Sequence, residues 1–149
     1  MARGGMWFIG QLAVMTAAAV LGPMGAGAGR TQLSNRLGGT LMIASAVIAI
    51  AGVWALGRHT SPLPRPRESA QLVRHGIYRR IRHPLYTSLM LAGLGWAVFW
   101  WSRPALVAAI VLTALLDRKS RREERWMGEK FPGYAEYRQT TKRYVPWVY

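Results

Sequence analysis

The chain has 149 residues, 51% hydrophobic and 17% charged, with 20 Lys and Arg against 6 Asp and Glu for a formal charge of +14. That length holds one domain, 1–149, and the absence of cysteine excludes disulfides, thiolate metal sites and cysteine nucleophiles. The charge requires an anionic counterpart, for which nucleic acid and membrane phospholipid compete.

The apolar runs decide for the membrane. Residues 6–24 carry no ionisable group and, as a helix, would span roughly 28 Å, close to a hydrocarbon core. Arg3, this run and the small residues at 25–29 also resemble a secretory signal, but the apolar part is slightly long for one, so a retained helix is expected. Residues 37–56 form a second charge-free run. A third, 85–116, is broken by Trp101-Ser102-Arg103-Pro104, which supplies a polar cap and a proline suited to a first helical turn.

The third run therefore predicts a helical hairpin. Its second arm is short before Asp117, so it is expected to tilt or to continue as a helix outside the bilayer. Gly93 and Gly95 in the first arm would let another helix approach closely. The expected fold is an all-α integral membrane protein with about four transmembrane helices, of which 1–57 contributes two. Its expected surroundings are membrane lipid, with no nucleic acid partner.

Charge bias orients the bundle. Placing both termini in the cytoplasm puts every basic residue except Arg30, Arg36 and Arg103 on that side. Trp7, Trp54, Trp100 and Trp101 fall near the predicted helix ends. The cytoplasmic face then consists of a loop, 57–84, and a tail, 117–149. Pro62, Pro64 and Pro66 keep the start of the loop extended, and the tail opens as a charged helix stopped by Phe131-Pro132-Gly133.

Two sets of ionisable groups meet there: Tyr78, Arg82, His83 and Tyr86 before and at the start of the third helix, and Lys119, Glu123 and Glu124 beyond the fourth. A hairpin makes neighbours of residues forty apart. Taken singly, Arg79 and Arg80 read as lipid-phosphate contacts, the tyrosines as interfacial anchors, and Asp117 with Arg121 as an i, i+4 ion pair. Glu123 with Lys119 reads as a weaker one.

The combination of Leu72-Val73, Gly76-Ile77-Tyr78, Arg82-His83-Pro84-Leu85-Tyr86, Glu123-Glu124, Phe131-Pro132-Gly133-Tyr134, Tyr137, Arg143 and Pro146 resembles the isoprenylcysteine carboxyl methyltransferase family. The resemblance runs from Gln71 to Pro146, within a catalytic part of 58–149. Phospholipid N-methyltransferases have a related arrangement. The resemblance implies S-adenosylmethionine, released as S-adenosylhomocysteine, and a lipophilic or lipidated acceptor entering from the bilayer.

It also implies cofactor binding by Gln71, Leu72, Val73, Tyr78, His83, Leu85, Tyr86, Glu123 and Glu124, with His83, Glu123 and Lys119 as the catalytic set. Lys119 stands where family members use an arginine toward a substrate carboxylate, and Ser88 replaces a family glycine. An NADPH-dependent sterol reductase shares a similar RHPxY ending, but typically follows it with polar and aromatic residues that Thr87-Ser88-Leu89-Met90 does not match. A non-enzymatic membrane protein with a lipid-binding basic tail is the remaining alternative.

Overall fold

The computed structural model describes residues 5–57 and 72–146, and within them the fold is all-α. Five α-helices follow in order: α1 (Gly5–Met24), α2 (Gln32–Leu56), α3 (Pro84–Trp100), α4 (Arg103–Lys130) and α5 (Tyr134–Thr140), with a 3-10 turn at Gly76–Arg79 before α3. The proline-rich start of the loop and Gln71 lie outside the described residues.

α1 and α2 are each long and apolar enough to cross a membrane. Their outward side chains include Ile9, Leu12, Ile43, Val47 and Ile50, each more than half exposed. Water would not tolerate so continuous an apolar surface, and a bilayer solvates it. The protein is an all-α membrane protein.

Local chemistry sets the helix limits. α2 starts five residues before its apolar run because Thr31 and Ser34 form a reciprocal capping box, Ser34 N donating to Thr31 Oγ1 at 3.2 Å and Thr31 N to Ser34 Oγ at 2.9 Å. α3 ends at Trp101, whose φ of 49° is left-handed. Ser102 then caps α4 by accepting from Ala105 N, while its own hydroxyl donates to Leu21 O at 2.7 Å. α4 runs unbroken through an apolar half, 103–116, and a charged half, 117–130. The hairpin's second arm thus does continue as a helix beyond its apolar stretch.

The helices alternate in direction, with α2 packed along α3 and α1 along α4. A Cβ on Gly38 would lie 2.5 Å from Phe99 N and 2.6 Å from Gly95 O, so α2 and α3 cross backbone to backbone. Gly93 faces Ala109 of α4 on the other side. Both glycines of the third run therefore serve close packing within one chain. Ser88 belongs to the same α2–α3 contact: it is buried, and its carbonyl accepts from Ser45 Oγ at 2.7 Å. The residue that departs from the family glycine faces α2.

The C-terminal segment folds back over the start of α3. Ile81 and Lys142 form an isolated parallel bridge, with Arg82 N donating to Lys142 O at 2.8 Å and His83 N to Arg143 O at 3.1 Å. Tyr137 donates its hydroxyl to Tyr78 O at 2.7 Å, and Thr87 Oγ1 donates to Tyr144 O at 3.0 Å. These bonds fix the backbone on which the histidine sits.

Candidate active site

His83 is the N-cap of α3, and Pro84 starts the helix where a missing N–H costs nothing. Three residues on, Tyr86 comes back under the imidazole, the rings stacked 5.3 Å apart and 2° from parallel. The charged half of α4 supplies the opposite wall. Tyr86 Oη donates to Glu123 Oε1 at 2.5 Å, and Glu123 Oε2 is 3.7 Å from His83 Nδ1. His83 Nε2 lies 3.3 Å from Glu124 Oε1, outside hydrogen-bond geometry but within ion-pair distance, so the imidazole stands between the two glutamates.

The two adjacent glutamates are driven in opposite directions. Burial pushes the Glu123 carboxyl up, against the opposing pull of His83, the Tyr86 hydroxyl and Lys119. Burial would also raise Glu124, but His83, Arg143 and Arg82 together hold it well below the usual carboxylate range. Arg143 binds Glu124 as a fork, Nε to Oε1 at 3.1 Å and Nη2 to Oε2 at 2.9 Å. Arg82 Nε adds a bond to Oε1 at 3.0 Å, and its Nη1 donates to the carbonyls of Arg138 and Thr141. Glu124 is thereby the centre of a clasp joining α4, the start of α3 and the tail.

Lys119 sits one turn before Glu123, yet the helical ion pair between them is not made. Its ammonium, on a residue 3% exposed, instead donates to Gln11 Oε1 of α1 at 2.8 Å and stands 5.1 Å from the Tyr86 ring centroid. Burial lowers the Lys119 pKa, with Glu123 opposing the shift. Asp117 does pair with Arg121, at 2.7 Å.

Of the residues singled out in the sequence, His83, Tyr86, Lys119, Glu123 and Glu124 therefore converge. Tyr78 is buried in the 3-10 turn, and burial raises its pKa with Tyr137 and Glu123 adding to the effect. Leu72 and Val73 are half-buried in the segment leading to that turn. Leu85 is turned the other way, against Gly52 of α2. Gln71 falls outside the described residues.

Gln11 was not singled out, and its signal was a lone amide in an otherwise apolar run. A separate cavity of about 320 Å³ lies against α5, lined by Arg74, Arg79, Glu136, Tyr137, Thr140 and Thr141. It includes none of the converging residues.

Membrane-length helices with titratable groups gathered at one end of a hairpin define a membrane protein with a polar cluster at that end. The chain belongs to the phospholipid methyltransferase family, whose model matches residues 33–133. It is accordingly a membrane methyltransferase. The match covers α2 to the end of α4 and leaves α1 and α5 outside. No curated protein matches the chain.

Proposed function

We propose that the protein transfers a methyl group from S-adenosylmethionine to a lipophilic acceptor at the cytoplasmic membrane face, as an O-methyltransferase of the isoprenylcysteine carboxyl type. The observation that carries this reading is the largely buried cluster of His83, Tyr86, Glu123 and Lys119, in which a carboxylate accepts from the hydroxyl of one aromatic ring and an ammonium stands over that ring. The cytoplasmic orientation rests on the concentration of basic residues at this end.

The residues fit the cofactor. The His83 imidazole suits the methionyl carboxylate, Glu123 suits the ammonium or ribose hydroxyls, and Tyr86 and Tyr78 suit a sulfonium. Leu72 and Val73, with Gln71 before them, are assigned to the adenine. Leu85 braces α3 on α2, and Glu124 acts through the clasp that holds the backbone of His83. When bound, S-adenosylmethionine supplies an electrophilic methyl group.

The chain's own contribution is orientation and exclusion of water, for which effective molarities of about 10⁵–10⁸ M set the scale. Lys119 holds an anionic acceptor group beside Tyr86. A carboxylate acceptor is already ionised at neutral pH and needs no base.

The family match favours a second reading, N-methylation of an aminophospholipid, whose phosphate would then take Lys119. An amine needs a base, and Glu123, with its carboxyl pushed up by burial, suits that work better than an ordinary glutamate. Incubating protein and methyl-labelled cofactor with membrane extract, followed by mass spectrometry, separates the two. A base-labile methyl ester on an apolar product is expected; a base-stable N-methyl headgroup gives the second reading. Label confined to small water-soluble compounds contradicts both.

A further inference from the structure

α1 lies outside the matched family stretch, yet it supplies the hydrogen-bond partner of the buried lysine. Gln11 is set in an apolar helix, where an unpartnered amide is costly and is retained when it has something to bind. An ammonium can only donate, so the amide oxygen must face Lys119, and the amide nitrogen is left to Met15 Sδ at 3.8 Å.

The amide is neutral, which decides what it does to the charge. It favours the protonated amine without cancelling it, whereas a carboxylate at position 11 would neutralise it. The described part of α1 holds no ionisable group; α3 contributes Tyr86 with His83 stacked behind it, and α4 contributes Glu123 one turn on. No carboxylate among the described residues is within ion-pair distance of Lys119. Its positive charge therefore remains available to an incoming anion.

We propose that Gln11 is a positioning residue that keeps the Lys119 ammonium at the α1–α4 seam, aimed at a carboxylate or phosphate on a molecule entering from the bilayer, so that α1 forms a wall of the acceptor site. Calling that molecule the acceptor rests on the methyltransferase reading. The hydrogen bond and its effect on Lys119 do not.

The chain has three lysines, Lys119, Lys130 and Lys142, so protein labelled with ¹³C at lysine Cε gives a spectrum simple enough to titrate in detergent. Gln11→Leu, which suits an apolar helix, is expected to lower the Lys119 midpoint, and Gln11→Glu to raise it. Oleate and oleyl phosphate are the probes, with oleyl alcohol as the neutral control. The wild-type Lys119 midpoint rises with whichever anion binds and not with the alcohol.

In Gln11→Leu the anion's affinity falls about tenfold at pH above the variant's measured Lys119 midpoint and recovers below it, because protonation restores the charge. In Gln11→Glu affinity is lost on both sides of the midpoint. A Lys119 midpoint unmoved by Gln11→Leu, or equal binding of the alcohol, overturns the proposal. Binding of S-adenosylmethionine is measured in parallel. A wild type that fails to bind it refutes the functional reading alone, and one that binds it with an unmoved midpoint refutes only the role of Gln11.

Discussion

Glu124→Ala is expected to destabilise the fold by about 3–5 kcal/mol, the usual consequence of leaving buried charge without its partner. The side chains of Arg82 and Arg143 are 8% and 12% exposed, and both bond this carboxylate, while Arg143 also reaches Asp117 at 3.5 Å. Removing it takes the shared carboxylate from two mostly buried cations, leaving Arg82 its carbonyl acceptors and Arg143 the longer contact with Asp117. Thermal unfolding in detergent measures the loss, and Glu124→Gln should fall between wild type and alanine because the amide oxygen still accepts.

The same clasp gives acid lability. Glu124 has a lower pKa folded than unfolded, so its stabilisation is complete above the ordinary carboxylate range and is lost as pH falls through that range toward the folded value. Glu124→Gln should flatten this part of the profile. An acid profile unchanged by the substitution would remove Glu124 from the centre of the clasp.

Glu123→Gln is expected to weaken S-adenosylmethionine binding roughly 10- to 100-fold, the scale of one hydrogen bond to a charged group. Thermal stability should change little, because the amide oxygen can still accept from the Tyr86 hydroxyl, 2.5 Å from Glu123 in the wild type. Isothermal titration of the variant and wild type reads both the affinity and its pH dependence. Burial raises Glu123, so its ionised form is lost at higher pH than for an exposed glutamate, and cofactor affinity should decline correspondingly early as pH falls. Loss of stability equal to the loss of binding would make Glu123 a structural residue.

Much of this arrangement was legible in the sequence because it depends on patterns local to the chain. The interruption at Trp101 to Pro104 carries its own cap and proline, so the hairpin and the meeting of its two polar ends follow. The convergence of His83, Tyr86 and Glu123 follows from the hairpin. The Arg82–Glu124–Arg143 clasp does not, because it needs the tail to return along residues 80–83, and one isolated bridge leaves no periodic trace. The short helix α5 and the 3-10 turn are set by the same return.

Spacing alone offered Lys119 one partner, Glu123. That it bonds Gln11 instead depends on α1 packing along α4, a tertiary contact that no helical interval encodes. Gln11 stayed hidden for the same reason. Ser88, conspicuous as a replaced glycine, proved to face α2, a direction set by the crossing of Gly38 over Gly95.

The most direct test of the central claim is equilibrium binding of methyl-labelled S-adenosylmethionine to folded wild-type protein in detergent. Saturable binding is expected, displaced by S-adenosylhomocysteine, unaffected by NADPH, and weakened by His83→Ala. A folded preparation that binds neither sulfur compound at millimolar concentration contradicts the account.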